Sequence, residues 1–121
     1  MAIKVLAVDD SRTIRDLLQL VLRAAGYDVC LAEDGQDALD QIDGYAPDAI
    51  ISDINMPRLD GFGLIEAIRR KDRFRATPVL VLTTENAPEF KARARAAGAT
   101  GWIVKPFEAD KLVRALQMIA G

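Results

Sequence analysis

Five short apolar runs recur along the chain, and each ends on a polar residue. Lys4 to Val8 meets Asp9 and Asp10, and Val29 to Ala32 meets Glu33 and Asp34. Ala49 to Ile51 leads through Ser52 to Asp53, Val79 to Leu82 ends at Thr83, and Trp102 to Val104 ends at Lys105. Between these runs lie stretches with apolar residues at helical spacing, so strand and helix alternate five times. The alternation predicts an α/β fold, a doubly wound five-stranded parallel sheet with five helices on both faces, because right-handed crossovers bury a sheet in this way. If the runs are parallel, their ends share one edge, and open parallel sheets place their ligand crevice there. Capping of strand ends accounts for one or two polar residues. It does not account for acids at three of the ends, a hydroxyl at the fourth and an amine at the fifth.

The helix boundaries follow from the same pattern. Ile14, Leu17, Leu18, Val21, Leu22 and Ala25 form one stripe, with Asp10 or Ser11 placed to cap its start and Gly26 its end. Ala38, Leu39 and Ile42 mark a shorter helix that stops near Gly44 and Pro47. Phe62, Leu64, Ile65 and Ile68 mark a third, opened by the Asp60-Gly61 turn. The fourth starts near Pro88, tolerated in a first turn, and stops at Gly98. Phe90 is its only large apolar residue, so it should dock loosely. The last begins near Glu108, with Leu112, Ala115, Leu116 and Ile119 on one face.

The 121 residues suit one domain, 1–121, with a real core and no separate output domain. A net charge of −2 argues against nucleic acid as a direct partner. The most basic stretch, Arg69 to Arg75, falls at a helix end, where positive charge suits the dipole; a solvated helix end is the favoured reading and a docking patch the second. Cys30 is the only cysteine, so no disulfide forms within the chain, and it is expected to be a small core residue in a reducing compartment. Met1 to Val8 is neither a signal peptide nor a membrane span. The expectation is a cytoplasmic protein with no membrane partner. With no histidine in the chain, its chemistry must use carboxylate, hydroxyl and amine.

Crowded carboxylates repel, and at neutral pH some stay protonated unless a cation neutralises them. Lys105 supplies one charge. A hard divalent ion would supply more, and Mg²⁺ fits best because it combines a few carboxylates with waters and phosphate oxygens; zinc is disfavoured without His or clustered Cys. Such an ion beside a hydroxyl and an ammonium can receive the oxygens of a phosphoryl group in transfer. A carboxylate can be the nucleophile, forming an acyl phosphate. Asp53, alone at the end of the middle strand, is the candidate, while Asp9 and Asp10 can share the metal directly and through water.

Four motifs occur in order: Asp9-Asp10; Asp53-Ile54-Asn55-Met56-Pro57 with Asp60-Gly61; Thr83-Thr84-Glu85; and Lys105-Pro106-Phe107, spaced 44, 30 and 22 residues apart. Together they resemble the signature of two-component response-regulator receiver domains, nearest to the stand-alone chemotaxis CheY type. The resemblance spans essentially the whole chain. It implies a flavodoxin-like sheet of order 2-1-3-4-5; that order is the known one for the chemotaxis member of this fold and comes with the resemblance, not from spacing. It further implies that Asp53 accepts a phosphoryl group from a phosphohistidine on a sensor histidine kinase. Asp9, Asp10, Asp53 and the backbone carbonyl of Asn55 would hold Mg²⁺, and Thr83 and Lys105 would bind the phosphoryl oxygens.

Several residues carry two readings. Trp102 stands where the family usually has a Tyr or Phe that turns inward on phosphorylation; taken alone, it reads as a strand residue packing on the last helix. The Lys105-Pro106 bond is expected cis by resemblance, although only about 5–6% of such bonds are cis. Asn55 and Glu85 occupy positions that tune attack of water on the acyl phosphate, which implies a short-lived phosphorylated state, or they are two solvated loop residues. Thr84 is a second hydroxyl beside Thr83, and Thr83 is chosen by resemblance.

The reading is a single-domain response regulator that switches protein binding through the helix 4, strand 5, helix 5 face. Its output partner is expected to be a flagellar motor protein or another chemotaxis component, with a phosphatase as a further partner. A phosphorelay intermediate or phosphate sink is the alternative. A small Mg-dependent phosphohydrolase ranks below both, because its usual general acid and substrate-closing cap have no counterpart in the pattern. No multiple-turnover enzyme is expected beyond self-phosphorylation and autodephosphorylation.

Overall fold

In the computed structural model, which describes residues 2–120, all five apolar runs form strands: β1 (Lys4–Val8), β2 (Asp28–Ala32), β3 (Ala49–Ser52), β4 (Val79–Thr83) and β5 (Gly101–Val104). They pair in parallel in the order β2-β1-β3-β4-β5, as the resemblance implies. The crossovers are α1 (Arg12–Ala24), α2 (Gly35–Tyr45), α3 (Gly61–Arg70) and α4 (Pro88–Ala97), and α5 (Ala109–Ala120) follows the last strand. A 3-10 turn at Asp72–Phe74 was not expected from the pattern.

The period of two along each strand divides the core into two layers. Leu6, Val8, Ile50, Val79 and Val81 face Ile42, Phe62, Ile65, Ile68 and Ala94 of α2, α3 and α4. Val5, Ala7, Ile51, Leu80 and Leu82 face Leu18 and Leu22 of α1 and Leu112 and Leu116 of α5. Every residue of β3 and β4 is therefore buried, which is why those runs are apolar without alternation. Each buried Val, Leu, Ile or Phe side chain in these layers contributes about 1.5–3 kcal/mol. The sheet is held by these two layers more than by the strand propensity of its sequence.

Capping fixes where the chain enters and leaves the helices. Ser11, not Asp10, caps α1, its Oγ accepting the Ile14 N–H at 3.3 Å. The helix closes with Gly26 at φ 93°, where the Gly26 and Tyr27 N–H groups donate to the Arg23 and Leu22 carbonyls at 3.0 Å each. Glycine takes that left-handed state without a steric cost. Asp34 caps α2, accepting the Asp37 N–H at 2.8 Å. That helix ends at Tyr45, between Gly44 and Pro47, where the sequence places its stop; the Tyr45 ring packs on the α2 side of the core, which offsets the cost of about 1 kcal/mol for the exposed helical Gly44.

Four expectations change. Leu17 is 41% exposed and Ala25 is exposed, so the α1 stripe is narrower than its spacing suggested. Trp102 packs on the layer under α2, α3 and α4, not on α5; its neighbour Ile103 takes the α5 side, because successive strand residues point oppositely. Cys30 is half-buried, with its thiol donating to Gln41 Oε1 at 2.9 Å, and burial pushes the thiol up from its ordinary value. The stretch from Arg69 is more than a solvated end. Arg69 donates to the carbonyls of Phe74 and Thr77 at 3.2 and 2.7 Å, and Arg73 reaches the Asp43 carbonyl at 3.1 Å.

The fourth helix is docked as loosely as its sequence suggested. Ala94 is its only buried residue, and Ala87 offers no side-chain cap. Phe90 stacks on Phe62 with ring centroids 6.3 Å apart, and the Arg93 guanidinium lies 4.1 Å from the Phe62 ring centroid. At the far end Arg69 holds the Gly98 carbonyl with Nε at 3.2 Å and Nη2 at 2.8 Å. By contrast α3 buries Gly61, Phe62, Leu64, Ile65 and Ile68. Amide hydrogen exchange is therefore expected to open α4 at a lower free energy than α3; equal protection of the two helices would contradict this account of the packing.

Candidate functional site

The register aligns the carboxyl ends of the strands. Val8 pairs with Ser52, and the Asp53 N–H donates to the Val8 carbonyl at 3.0 Å, so Asp9 and Asp53 leave the sheet side by side. On the other side Thr83 pairs with Val104, and the Lys105 N–H donates to the Thr83 carbonyl at 2.8 Å. The Asp9 N–H donates to the Ala32 carbonyl of β2 at 3.1 Å.

Side chains from three strand ends converge. Lys105 Nζ lies 2.7 Å from Asp9 Oδ2 and 3.3 Å from Asp53 Oδ2. Asp9 Oδ1 accepts the Ser11 N–H at 2.9 Å, and Asp53 Oδ1 accepts the Ile54 N–H at 2.7 Å. Asp9 and Asp53 are 1% and 7% exposed. Asp10 is exposed, yet one carboxylate oxygen from each of Asp9, Asp10 and Asp53 lies within 4.8 Å of the others. Against a single ammonium these carboxylates leave an excess of negative charge that suits a divalent cation.

Burial pushes the Asp9 carboxyl up, and hydrogen bonds from Lys105 and the Ser11 amide, with the Lys105 charge, offset this only in part. Burial alone would lower Lys105; the Asp9 hydrogen bond and the charges of both carboxylates outweigh it and hold the ammonium above its ordinary value. The two shifts are compatible, since Lys105 shares its charge between two acids while Asp9 has lost nearly all contact with water. Lys105 is thus the cation at neutral pH.

The remaining expected residues fall around this centre. Thr83 is fully buried and Thr84 exposed, so the strand end encloses only the first hydroxyl; Thr83 Oγ1 accepts the Glu85 N–H at 3.3 Å. Asn55 Nδ2 donates to Glu85 Oε1 at 3.3 Å, so these residues touch each other instead of standing separately in solvent. The Lys105-Pro106 peptide is cis. Trp102 lies one layer away, with its indole N–H enclosed and unpartnered.

Two contacts were not read from sequence. The Arg15 guanidinium donates to the Asp9 carbonyl at 2.8 Å. Arg58 forms a two-pronged pair with Asp34, Nε to Oδ2 at 2.7 Å and Nη2 to Oδ1 at 2.9 Å. Asp34 thus does more than cap α2, and its Arg58 partner lies 24 residues away, where no local pattern announces it. The closeness of the Asp53 turn had a signal in Gly61: a Cβ there would lie 2.3 Å from the Asp53 carbonyl oxygen.

Comparison with known proteins agrees with this geometry. The family model for the response regulator receiver domain matches residues 5–117. Protein PilG of Pseudomonas aeruginosa is 38% identical over 115 residues, covering 95% of this chain and 85% of that protein. The chemotaxis protein CheY4 of Vibrio cholerae superposes with a TM-score of 0.95 at 46% identity, covering 98% of this chain and 99% of that one. The receiver domain of the sensor histidine kinase PA1611 from Pseudomonas aeruginosa, solved with a magnesium ion in its active-site cleft, superposes with a TM-score of 0.92 at 30% identity, covering 100% and 99%.

The raised Asp9 carboxyl has a consequence for stability. A carboxyl whose folded value exceeds its unfolded value contributes most below the unfolded value, and that contribution is lost as pH rises through the folded one. Asp9→Asn, which resembles the protonated form, is therefore expected to be more stable than the parent at neutral pH in metal-free buffer. The gain should shrink as pH falls toward about 4. Denaturant unfolding across that range checks it, and a loss of stability that does not vary with pH would contradict it.

Proposed function

This chain belongs to the response regulator receiver domain family, and from that premise we propose that residues 1–121 act as a single-domain switch with Asp53 as phosphoacceptor. The observation that carries the reading is the Lys105 ammonium held between Asp9 and Asp53. It places a fixed positive charge beside the one acid that stands alone at the end of a central strand. The donor is a phosphohistidine on a sensor histidine kinase. A carboxylate oxygen of Asp53 attacks phosphorus, the P–N bond breaks as the P–O bond of the acyl phosphate forms, and the imidazole leaves. Lys105 and the Thr83 hydroxyl bind the phosphoryl oxygens.

The donor set fits Mg²⁺: hard oxygens, an excess of negative charge and no histidine. Asp9, Asp10, Asp53 and the Asn55 backbone carbonyl would hold it, and the magnesium reported for the PA1611 receiver domain supports this assignment. When bound, the ion supplies positive charge toward the phosphoryl oxygens. Asn55 and Glu85, in contact with each other and two residues beyond Asp53 and Thr83, would tune the attack of water on the acyl phosphate, giving a short-lived phosphorylated state.

Output is binding to another protein through α4, β5 and α5. The loose docking of α4 and the unpartnered N–H of Trp102 favour a face with two available packings, between which phosphorylation shifts the population. The likeness to CheY4 favours chemotaxis signalling, with a flagellar motor protein or another chemotaxis component as target and a phosphatase to reset the switch. Among the described residues no helix is long and apolar enough to cross a membrane, consistent with work in the cytoplasm on soluble partners.

A small acyl phosphate donor with Mg²⁺ should label the protein once, at Asp53, and Asp53→Asn should abolish labelling. Sustained turnover of a phosphate ester, read as continuing phosphate release, would instead support a hydrolase. Beryllofluoride with Mg²⁺ should alter Trp102 fluorescence in the parent and not in Asp53→Asn. An unchanged spectrum at saturating analogue would remove Trp102 from the switch.

A further inference from the structure

The loop from Asp53 to Gly61 carries two of the groups assigned above, the Asp53 carboxylate and the Asn55 carbonyl, and it is pinned at two places. At its far end the Gly61 N–H donates to the Ile54 carbonyl at 2.8 Å. In its middle it is fastened to the start of α2. The Gly35 N–H donates to the Leu59 carbonyl at 3.2 Å, in an approach so close that a Cβ on Gly35 would lie 2.4 Å from that oxygen. Beside this bond Arg58 grips Asp34 with two nitrogens, at 2.7 and 2.9 Å.

Three features distinguish this pair from an ordinary surface contact, which contributes little. The Asp34 side chain is only 6% exposed, so its charge has few partners other than Arg58 and the α2 amides. The geometry is the fork-to-carboxylate match that fixes orientation as well as distance. Arg58 also sits at φ 67°, a left-handed state that residues other than glycine and asparagine avoid and that persists only when surroundings impose it. The Arg58 hydrogen bond holds the Asp34 carboxyl below its ordinary value, as expected of a carboxylate kept charged in this position.

We propose that Arg58 is a positioning residue for the metal site: by clamping the Asp53–Gly61 loop to Asp34 at the start of α2, it holds the Asn55 carbonyl in place as a ligand. The inference rests on the reading of Asp53 and Asn55 given above. It makes Asp34 part of the support of the site as well as a helix cap. It also places the start of α2 in mechanical contact with the loop that carries the phosphoacceptor.

Two variants separate the clamp from the fold. Arg58→Gly accepts the left-handed backbone and removes the grip, whereas Asp34→Asn keeps a capping oxygen and removes the charge. Calorimetric titration of the full chain with Mg²⁺ should show affinity weakened by about tenfold in each, as when the support of a metal ligand is lost. The double variant should be no weaker than either single one, because both remove the same contact. Without metal, the amides of residues 55–59 should exchange faster in both variants. Labelling of Asp53 by a small acyl phosphate should fall at low Mg²⁺ and return to the parent rate at saturating Mg²⁺, a recovery that general damage to the fold would not give. Parent-like affinities, additive losses, or a labelling defect that persists at saturating Mg²⁺ would each overturn the inference while leaving the phosphoacceptor reading intact. A parent chain that neither binds Mg²⁺ nor is labelled would overturn that reading, and the inference with it.

Discussion

The Lys105 ammonium lies 2.7 Å from Asp9 and 3.3 Å from Asp53, and the rest of the site is arranged around that shared charge. Carboxylates this close and this buried repel each other and have lost most of their hydration, so an intervening cation decides whether they can stay ionised. The price is visible in Asp9, which burial still holds above its usual range. A site under this tension is set to respond to added charge: a divalent cation would relieve it, and a phosphoryl group would give the ammonium a new partner. The proposed ion binding and phosphorylation would thus act on one electrostatic balance.

That balance is held by the sheet. Lys105 follows β5, Asp9 follows β1 and Asp53 follows β3, and their separation depends on strand register. Slipping a strand by one residue would exchange its two faces. The apolar layers on either side oppose such a slip, since each strand residue is matched to its own layer. The helices differ in how firmly they share in this. The third buries a continuous face, whereas α4 has one buried alanine, an aromatic stack and the Arg69 contact at its end. Changes at the strand ends meet least resistance in α4, which also packs on the Trp102 side of the sheet.

Much of the fold and site could be read before any coordinates. Five apolar runs with polar ends, separated by helical stripes, require a two-sided sheet whose functional edge gathers Asp9, Asp53, Thr83 and Lys105. Asp9, Asp53 and Lys105 each follow directly on a strand and Thr83 ends one, so their position along the chain specifies their position in space. The errors fell where the answer depends on packing between distant segments. Which layer receives Trp102 depends on the pleat of β5 and on whether α4 or α5 covers that face; an apolar strand looks the same from both sides. Leu17 and Ala25 kept the right spacing but lie at the margin of the α1 stripe, where burial depends on how closely neighbours approach.

Residue type and order alone therefore determined the chemistry available here: clustered carboxylates with one amine and one hydroxyl, no imidazole, and strands and helices in strict alternation. Local patterns suffice for this because periodicity and capping act over a few residues. Tertiary structure alone decided which groups touch. It set Lys105 between Asp9 and Asp53, turned Thr83 inward and Thr84 outward, and joined Arg58 to Asp34 across 24 residues. Such pairs cost chain entropy to bring together and are held by the packing of the whole domain, so no stretch of sequence contains them.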